Sequence, residues 1–200
     1  MTNLADRVES PELLRRVLPV EEAVRHVTDR ATLAVSGFTK SGEPKTFLPA
    51  LARHLQATAP QARIALYSGA SLSDEVENPI APFVGKRGPY MSASVSRKRI
   101  HAGEMDFADV HLSQFARNLM YGIYGEIDLA VVEVSRVRAD GSVILSSSVG
   151  VSAEAIARAR KIVLEVNLAA PDYTGSLDIV LPPVYPVVGW PIPGTNVGDR

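Results

Sequence analysis

Apolar runs and amphipathic stretches alternate along the first third of the chain. Residues 31–36 and 64–67 are mostly apolar runs, and the stretch 46–59 between them carries apolar side chains at helical spacing until Pro60 ends it. Strands of a parallel sheet are buried on both faces and give such runs, and a helix crosses between them. The pattern therefore predicts a strand, a helix and a second strand of a parallel sheet.

The same alternation returns in the second half of the chain. Residues 129–134 and 162–166 are predicted strands, and residues 153–159 between them are a predicted helix. Asp140-Gly141 separates two short apolar stretches, which is typical of a hairpin turn, so one small antiparallel element should join the sheet. The predicted fold class is α/β, with an open, mostly parallel sheet and helices on both faces.

Two other regions give shorter or weaker patterns. Near the N-terminus, a serine cap and two prolines frame short predicted helices over residues 11–18 and 20–27. The stretch 78–105 is broken into turns by prolines and glycines, and we expect only a helix near residues 97–102 within it.

Composition limits the classes of protein that the chain can be. With 200 residues, 46% of them hydrophobic, it can bury one sizeable core. A formal net charge of −1 provides no general field for a nucleic acid or a membrane surface. The lack of cysteine excludes disulfides, thiolate catalysis and cysteine-bound zinc. No apolar run approaches the roughly 18 residues of a spanning helix, so we expect a cytoplasmic protein.

The character of the chain changes at residue 182. Five prolines between residues 182 and 193 exclude a helix and a central strand there. The same stretch carries several large apolar residues, including Trp190, which favours packing on this domain or on a second one. We therefore predict a domain over residues 1–181, followed by a proline-rich junction over residues 182–200.

Small and hydroxyl-bearing residues follow several predicted strands. In an open parallel sheet, ligands bind beyond the carboxyl ends of the strands, where such loops lie. The loops could instead be small only to allow close packing, and Ser152 could simply cap the helix that follows the third of them. None of them has the Gly-Lys-Ser/Thr of a nucleotide-binding loop. The three loops are residues 37–45, 68–71 and 146–150.

Other charged and titratable residues give weaker indications. The basic cluster at residues 97–99 could grip a phosphate, but a solvated helix face explains it better. The four histidines lack metal-ligand spacing, and His111, which we place at a strand end, is better explained as a structural residue. Glu133 and Glu165 lie within apolar strands, so each must face the crevice or have a buried partner.

These pieces together resemble the amino-terminal half of the acetyl-CoA hydrolase/transferase family, the class I CoA-transferases that include succinyl-CoA:acetate CoA-transferase. The resemblance covers nearly the whole chain in order, which makes it more specific than any single motif. The matching segments are residues 36–45, 87–91, 109–113, 128–134, 140–141, 147–152 and 162–167.

The resemblance implies two tandem domains of the same open α/β fold with the active site between them. The family's catalytic glutamate passes through an acyl anhydride and then holds CoA as a glutamyl thioester. That glutamate belongs to the carboxy-terminal domain, so no catalytic residue is predicted here. The amino-terminal domain helps hold the small carboxylate, and an arginine suits that role because it can clamp a carboxylate through two hydrogen bonds. The resemblance implies these substrate-binding residues: Gly37, Phe38, Thr39, Ser71, Ser92 and Arg200.

The predicted function is the carboxylate-positioning half of an acyl-CoA:carboxylate CoA-transferase or acetyl-CoA hydrolase, inactive by itself. The expected partners are an acyl-CoA, a short carboxylate such as acetate or succinate, and a carboxy-terminal domain or subunit. CoA would be a substrate rather than a bound cofactor, no metal is expected, and a homo-oligomer is compatible with the sequence. One alternative is a non-catalytic acid-binding or regulatory subunit. A second is an enzyme that acts on sugar phosphates by proton transfer.

Overall fold

The computed structural model describes residues 3–176 and residue 179, and within them one sheet of seven strands forms the centre of the fold. In chain order the strands are β1 (Thr32–Val35), β2 (Ile64–Ser68), β3 (Val84–Gly88), β4 (Asp106–Phe107), β5 (Ile127–Val137), β6 (Val143–Leu145) and β7 (Ala159–Val166). Their order across the sheet is β4-β3-β2-β1-β5-β6, and β7 also pairs with β5. Every pairing is parallel except β5 with β6, which confirms the predicted sheet.

Helices cover both faces of this sheet, as predicted. They are α1 (Pro11–Leu14), α2 (Val20–Ala23), α3 (Phe47–Thr58), α4 (Asp74–Ile80), α5 (Ser94–His101), α6 (Leu112–Met120) and α7 (Ser152–Arg158). Successive strand residues point to opposite faces. Leu33 and Val131 therefore join the core beneath α3 and α4, whereas Ala34 and Val132 join the core beneath α6 and α7.

The order of the strands creates a crevice at one edge of the sheet. The chain adds β2, β3 and β4 outward on one side of β1, and then returns to place β5 on the other side of β1. The chain consequently leaves β1 toward β2 on one side of the reversal, and leaves β5 toward β6 on the other. Open α/β sheets bind their ligands at such a reversal of strand order.

The middle of the chain is more regular than its sequence pattern predicts. Of its elements, α5 and a strand ending near His111 were expected, and β4 ends four residues before His111, whereas β3, α4 and α6 were not expected. The strand β3 escapes an apolar pattern because it is short and buries Arg87, and α4 contains Pro79 within its seven residues. Near the N-terminus, α1 and α2 are single turns and are shorter than the predicted helices.

The hairpin and the domain boundary have different outcomes. Gly141 adopts a φ of 83° in the turn between β5 and β6, which confirms the predicted antiparallel element. The proline-rich residues 182–200 lie outside the described residues, so the boundary at residue 181 stays a prediction. In the part of the chain that the structure describes, no helix is long and apolar enough to cross a membrane.

Candidate functional site at the carboxyl edge of the sheet

Hydroxyl groups tie two loops together at the point where the strand order reverses. The Ser41 hydroxyl lies 2.8 Å from the Ser147 hydroxyl, and the Ser148 hydroxyl donates to the Ser41 carbonyl at 2.6 Å. These loops follow β1 and β6, and the loops after β2 and β3 complete the same edge. We call this region the crevice, and its loops are residues 36–46, 69–73, 89–93 and 146–151.

Gly37 is required by the backbone of the first crevice loop. Its φ of 123° is one that other residues rarely adopt. A Cβ atom there would lie 2.9 Å from Leu72 Cδ2 and 3.2 Å from Glu43 Cβ, so a larger residue has no room. The glycine is buried, and it lets the loop after β1 pack directly against the loop after β2.

The turn over residues 38–41 is the exposed part of the same loop. Phe38 N–H donates to the Ser41 carbonyl at 2.8 Å, and Ser41 N–H donates back to the Phe38 carbonyl at 3.1 Å. Between them, Thr39 and Lys40 have φ values of 49° and 73°, a conformation that is uncommon for residues other than glycine. The turn therefore presents Phe38, Thr39 and Lys40 to solvent in a backbone that is held under strain.

Ser71 joins three of the crevice loops. Its hydroxyl donates to the Tyr90 carbonyl at 3.0 Å, and its own carbonyl accepts the N–H of Lys40 at 3.4 Å. Tyr90 has a φ of 54° and is 61% exposed. Ser92 lies exposed two residues further along the same loop. Five of the six predicted substrate-binding residues thus lie on adjoining crevice loops, and the sixth, Arg200, is outside the described residues.

A buried ion pair forms the floor next to these loops. The Arg87 guanidinium donates to both carboxylate oxygens of Glu77, at 3.0 and 2.9 Å, and both side chains are fully buried. Its remaining N–H groups go to the Ser68 hydroxyl and to the carbonyls of Gly88 and Leu66, so all five donors are used. Arg87 therefore fixes the carboxyl ends of β2 and β3 and has no donor left for a ligand. In the sequence, Arg87 is indicated only by its position at the start of residues 87–91, one of the segments that resemble the family.

Glu133 has a buried partner, which was one of the two outcomes expected for it. Its carboxylate accepts from Lys45 Nζ and from the Ser146 hydroxyl, each at 2.6 Å, and the side chain is 2% exposed. Lys45 and Ser146 belong to different crevice loops. The pair therefore links the loop after β1 to the middle of β5, a contact that the sequence pattern did not reveal.

Glu165 satisfies the first turn of α3. Its carboxylate accepts the N–H groups of Thr46 at 3.0 Å and Phe47 at 2.9 Å, where no side chain of the helix itself supplies a cap. Burial raises the pKa of the Glu165 carboxyl above its ordinary value, and these backbone N–H groups partly oppose that rise. Glu165 is therefore a helix cap supplied by β7.

Three other expectations can be compared with the structure. Ser152 is not a cap, because α7 begins without a side-chain cap and the Ser152 hydroxyl is buried without a hydrogen-bond partner. His111 does not follow a strand directly but caps α6, with its ring nitrogen bonded to Ser113. In the basic cluster, Arg97 and Lys98 are exposed, whereas Arg99 donates to carbonyls of neighbouring segments.

A second concave surface lies along β7 and touches the crevice loops only at Thr46. It encloses about 610 Å³, and β7 and the N-terminal helices supply most of its lining. Ile162 is 45% exposed there and Val17 is 48% exposed. We call this surface the groove. At one end it reaches Thr46 and Glu165, so it adjoins the crevice through the start of α3.

Comparisons with known proteins agree with this geometry. The profile of the acetyl-CoA hydrolase/transferase N-terminal domain matches residues 1–187. An acetyl-CoA hydrolase from Neurospora crassa is 35% identical over 90% of this chain and 37% of its own length. The succinyl-CoA:acetate CoA-transferase from Clostridium kluyveri is 30% identical over 97% of this chain and 36% of its own length.

A solved structure shows the same fold. Glutaconate coenzyme A-transferase from Acidaminococcus fermentans superposes with a TM-score of 0.57 at 13% identity, over 74% of this chain and 68% of that one. The open α/β sheet thus has the fold of the CoA-transferases. The chain belongs to the acetyl-CoA hydrolase/transferase family and corresponds to its N-terminal domain. It spans a little over a third of the length of these curated relatives.

Proposed function

We propose that this chain is the carboxylate-positioning half of an enzyme that moves CoA between acyl thioesters and short carboxylates or hydrolyses an acyl-CoA. The observation that carries the proposal is the crevice, where the exposed turn 38–41, Ser71 and Ser92 lie on adjoining loops at the reversal of strand order. Membership of the family supplies the reaction class. Acyl-CoA and a carboxylate such as acetate or succinate would be the substrates, with no bound cofactor.

The side chains around the crevice favour a binding role over a nucleophilic one. Glu77 is held by Arg87, Glu133 by Lys45, and Glu43 accepts the N–H of Ser73 at 2.7 Å. A nucleophilic carboxylate must be free to reach the thioester, and these three are occupied by the protein. The family resemblance assigns the nucleophile to the carboxy-terminal part of the enzyme, which we therefore propose as the partner.

The chain should be inactive without that partner. A carboxylate held only by the crevice would keep water on its open side, and electrostatic stabilisation is much stronger in a water-excluded site. The partner would close the crevice and bring the nucleophile to the bound acid. Binding without exchange would be the property of the alternative, a non-catalytic acid-binding or regulatory subunit.

The experiment is to mix this chain with the C-terminal portion of the Clostridium kluyveri relative and to measure transfer of CoA from succinyl-CoA to labelled acetate. We expect exchange from the mixture and none from either part alone. Mass spectrometry of the mixture, quenched during turnover, should find CoA attached to the C-terminal portion. Exchange by this chain alone, or CoA attached to one of its glutamates, would overturn the proposal.

A further inference from the structure

Two aromatic side chains stand in solvent on the crevice loops. Phe38 is 42% exposed and Tyr90 is 61% exposed. Other aromatic residues of the fold are packed together instead of exposed. The ring of Tyr67, on β2, packs against the rings of Phe115 and Tyr124 at centroid distances of 6.3 and 4.8 Å. The fold therefore has a packed aromatic cluster available close by, and Phe38 and Tyr90 remain outside it.

The backbone holds Tyr90 in this exposed position against its preference. A φ of 54° is uncommon for a bulky residue, and such strain persists where the surrounding structure enforces it. One contact that holds this backbone is the hydrogen bond from the Ser71 hydroxyl to the Tyr90 carbonyl. Because Ser71 also accepts the N–H of Lys40, the same residue fixes the turn that carries Phe38.

This contact limits what Ser71 can do for a ligand. A serine hydroxyl has one hydrogen to donate, and an ionised carboxylate can only accept. The Ser71 hydrogen is already donated to Tyr90, so Ser71 has none for a substrate carboxylate. Thr39 and Lys40, exposed on the turn beside Phe38, offer a hydroxyl and an ammonium group instead.

We propose that Phe38 and Tyr90 contact the alkyl chain of the carboxylate or acyl substrate, and that Ser71 is a positioning residue that holds them in place. The proposal rests on the proposed function, because that function places a short acid in the crevice. Thr39 and Lys40 follow Phe38 directly. Ser71 bonds both the Lys40 N–H and the Tyr90 carbonyl, so an acid held by this turn would lie beside the loop that carries Tyr90. When the rings cover the methylene groups of the acid, both the rings and the methylene groups lose contact with water. Acids with longer alkyl chains should therefore bind more tightly.

The test is to titrate the isotope-labelled chain with acetate, propanoate and butanoate and to follow the amide signals by NMR. The wild-type dissociation constant should fall with each added methylene, by up to about fourfold if the methylene is fully covered. Tyr90→Ala and Phe38→Ala should flatten this dependence while acetate still binds. Tyr90→Phe keeps the ring and should keep the dependence, and Ile123→Ala is the control because Ile123 is 67% exposed outside the crevice.

Variants of Ser71 separate positioning from direct binding. Ser71→Ala should flatten the chain-length dependence as Tyr90→Ala does, and Ser71→Thr should restore it because the hydroxyl is retained. If Ser71 bound the carboxylate itself, Ser71→Ala would weaken all three acids by the same factor, and the positioning role would be wrong. A flat wild-type series, or no binding at all, would overturn the proposal.

The same series distinguishes this inference from the proposed function. Chain-length dependence without CoA exchange in the two-part mixture would contradict only the proposed enzyme. CoA exchange combined with a flat wild-type series would contradict only the role of Phe38 and Tyr90.

Discussion

The crevice and the groove show that an apolar concavity need not be the better candidate for chemistry. The groove encloses about 610 Å³ and is lined mainly by apolar side chains. The crevice instead gathers hydroxyl groups, left-handed backbone at Thr39, Lys40 and Tyr90, and two ion pairs, of which Arg87 with Glu77 is fully buried. An apolar wall can cover surface, but orienting a charged acid requires donors in fixed places. The polar, strained surface is therefore the one to which we assign the ligand.

The largest expected effect concerns the ion pair beneath the crevice. Arg87→Met should lower the free energy of unfolding by about 3–5 kcal/mol, because it leaves Glu77 buried without its partner. Urea denaturation measures the change. Arg160→Met is the control, since Arg160 and Glu126 form an exposed pair whose loss should cost about 0–1 kcal/mol. Equal losses in the two variants would show that the crevice floor is not specially stabilised.

A smaller effect is expected at Gly37. Gly37→Ala should destabilise the chain by about 1–3 kcal/mol, since it adds a strained φ and a contact of 2.9 Å with Leu72. Gly141→Ala is the matched control, because Gly141 also has a positive φ but nothing lies within 4 Å of its added Cβ. The difference between the two midpoints in thermal unfolding reports the close packing of the crevice loops, and no difference would contradict it.

The end of the groove should respond to pH through Glu165. Burial raises the pKa of the Glu165 carboxyl above its ordinary value of 4.5, so the folded chain keeps this proton to higher pH than the unfolded chain does. The contribution of protonated Glu165 to the free energy of unfolding is fully present below pH 4.5 and is lost as the pH rises through the raised pKa. Glu165→Gln cannot ionise, so its stability relative to the wild type should improve from acidic to neutral pH. Denaturation at a series of pH values measures this, and a constant difference would contradict it.

The smallest effect is expected in the groove itself. Ile162→Ser should lower the free energy of unfolding by only about 1 kcal/mol, because Ile162 is already 45% exposed and buries only part of its apolar surface. The affinity of the chain for butanoate should also stay the same, as measured by the NMR titration. A loss of affinity would mean that the groove, rather than the crevice, holds the acid.

The sequence predicted the parts of the fold whose pattern is local. The apolar runs at β1, β2 and β5 reveal strands that are buried on both faces, the run at β7 reveals a strand that is only partly covered, and Asp140-Gly141 reveals the hairpin. The strand β3 was missed because its buried Arg87 is satisfied by Glu77, ten residues away, and that contact exists only after folding. Periodicity could not reveal it, since a charged residue in a short run is typical of a loop.

In the candidate site, too, some residues could be selected from the sequence, whereas the contacts between them could not be predicted. Gly37, Thr39 and Ser71 could be selected because small and hydroxyl-bearing residues follow strand ends along the chain. The hydrogen bond from Ser71 to Tyr90 and the contact of Lys45 with Glu133 join residues that are 19 and 88 positions apart. Such pairings depend on which strands become neighbours, so the exact role of each hydroxyl could not be predicted beforehand.

Hydrogen–deuterium exchange of the chain with and without saturating butanoate tests the central claim most directly. The account predicts that the ligand slows exchange in the crevice loops, at residues 36–46, 69–73 and 89–93, and leaves β7 unchanged. Slower exchange along residues 159–166, with the crevice loops unaffected, would contradict it.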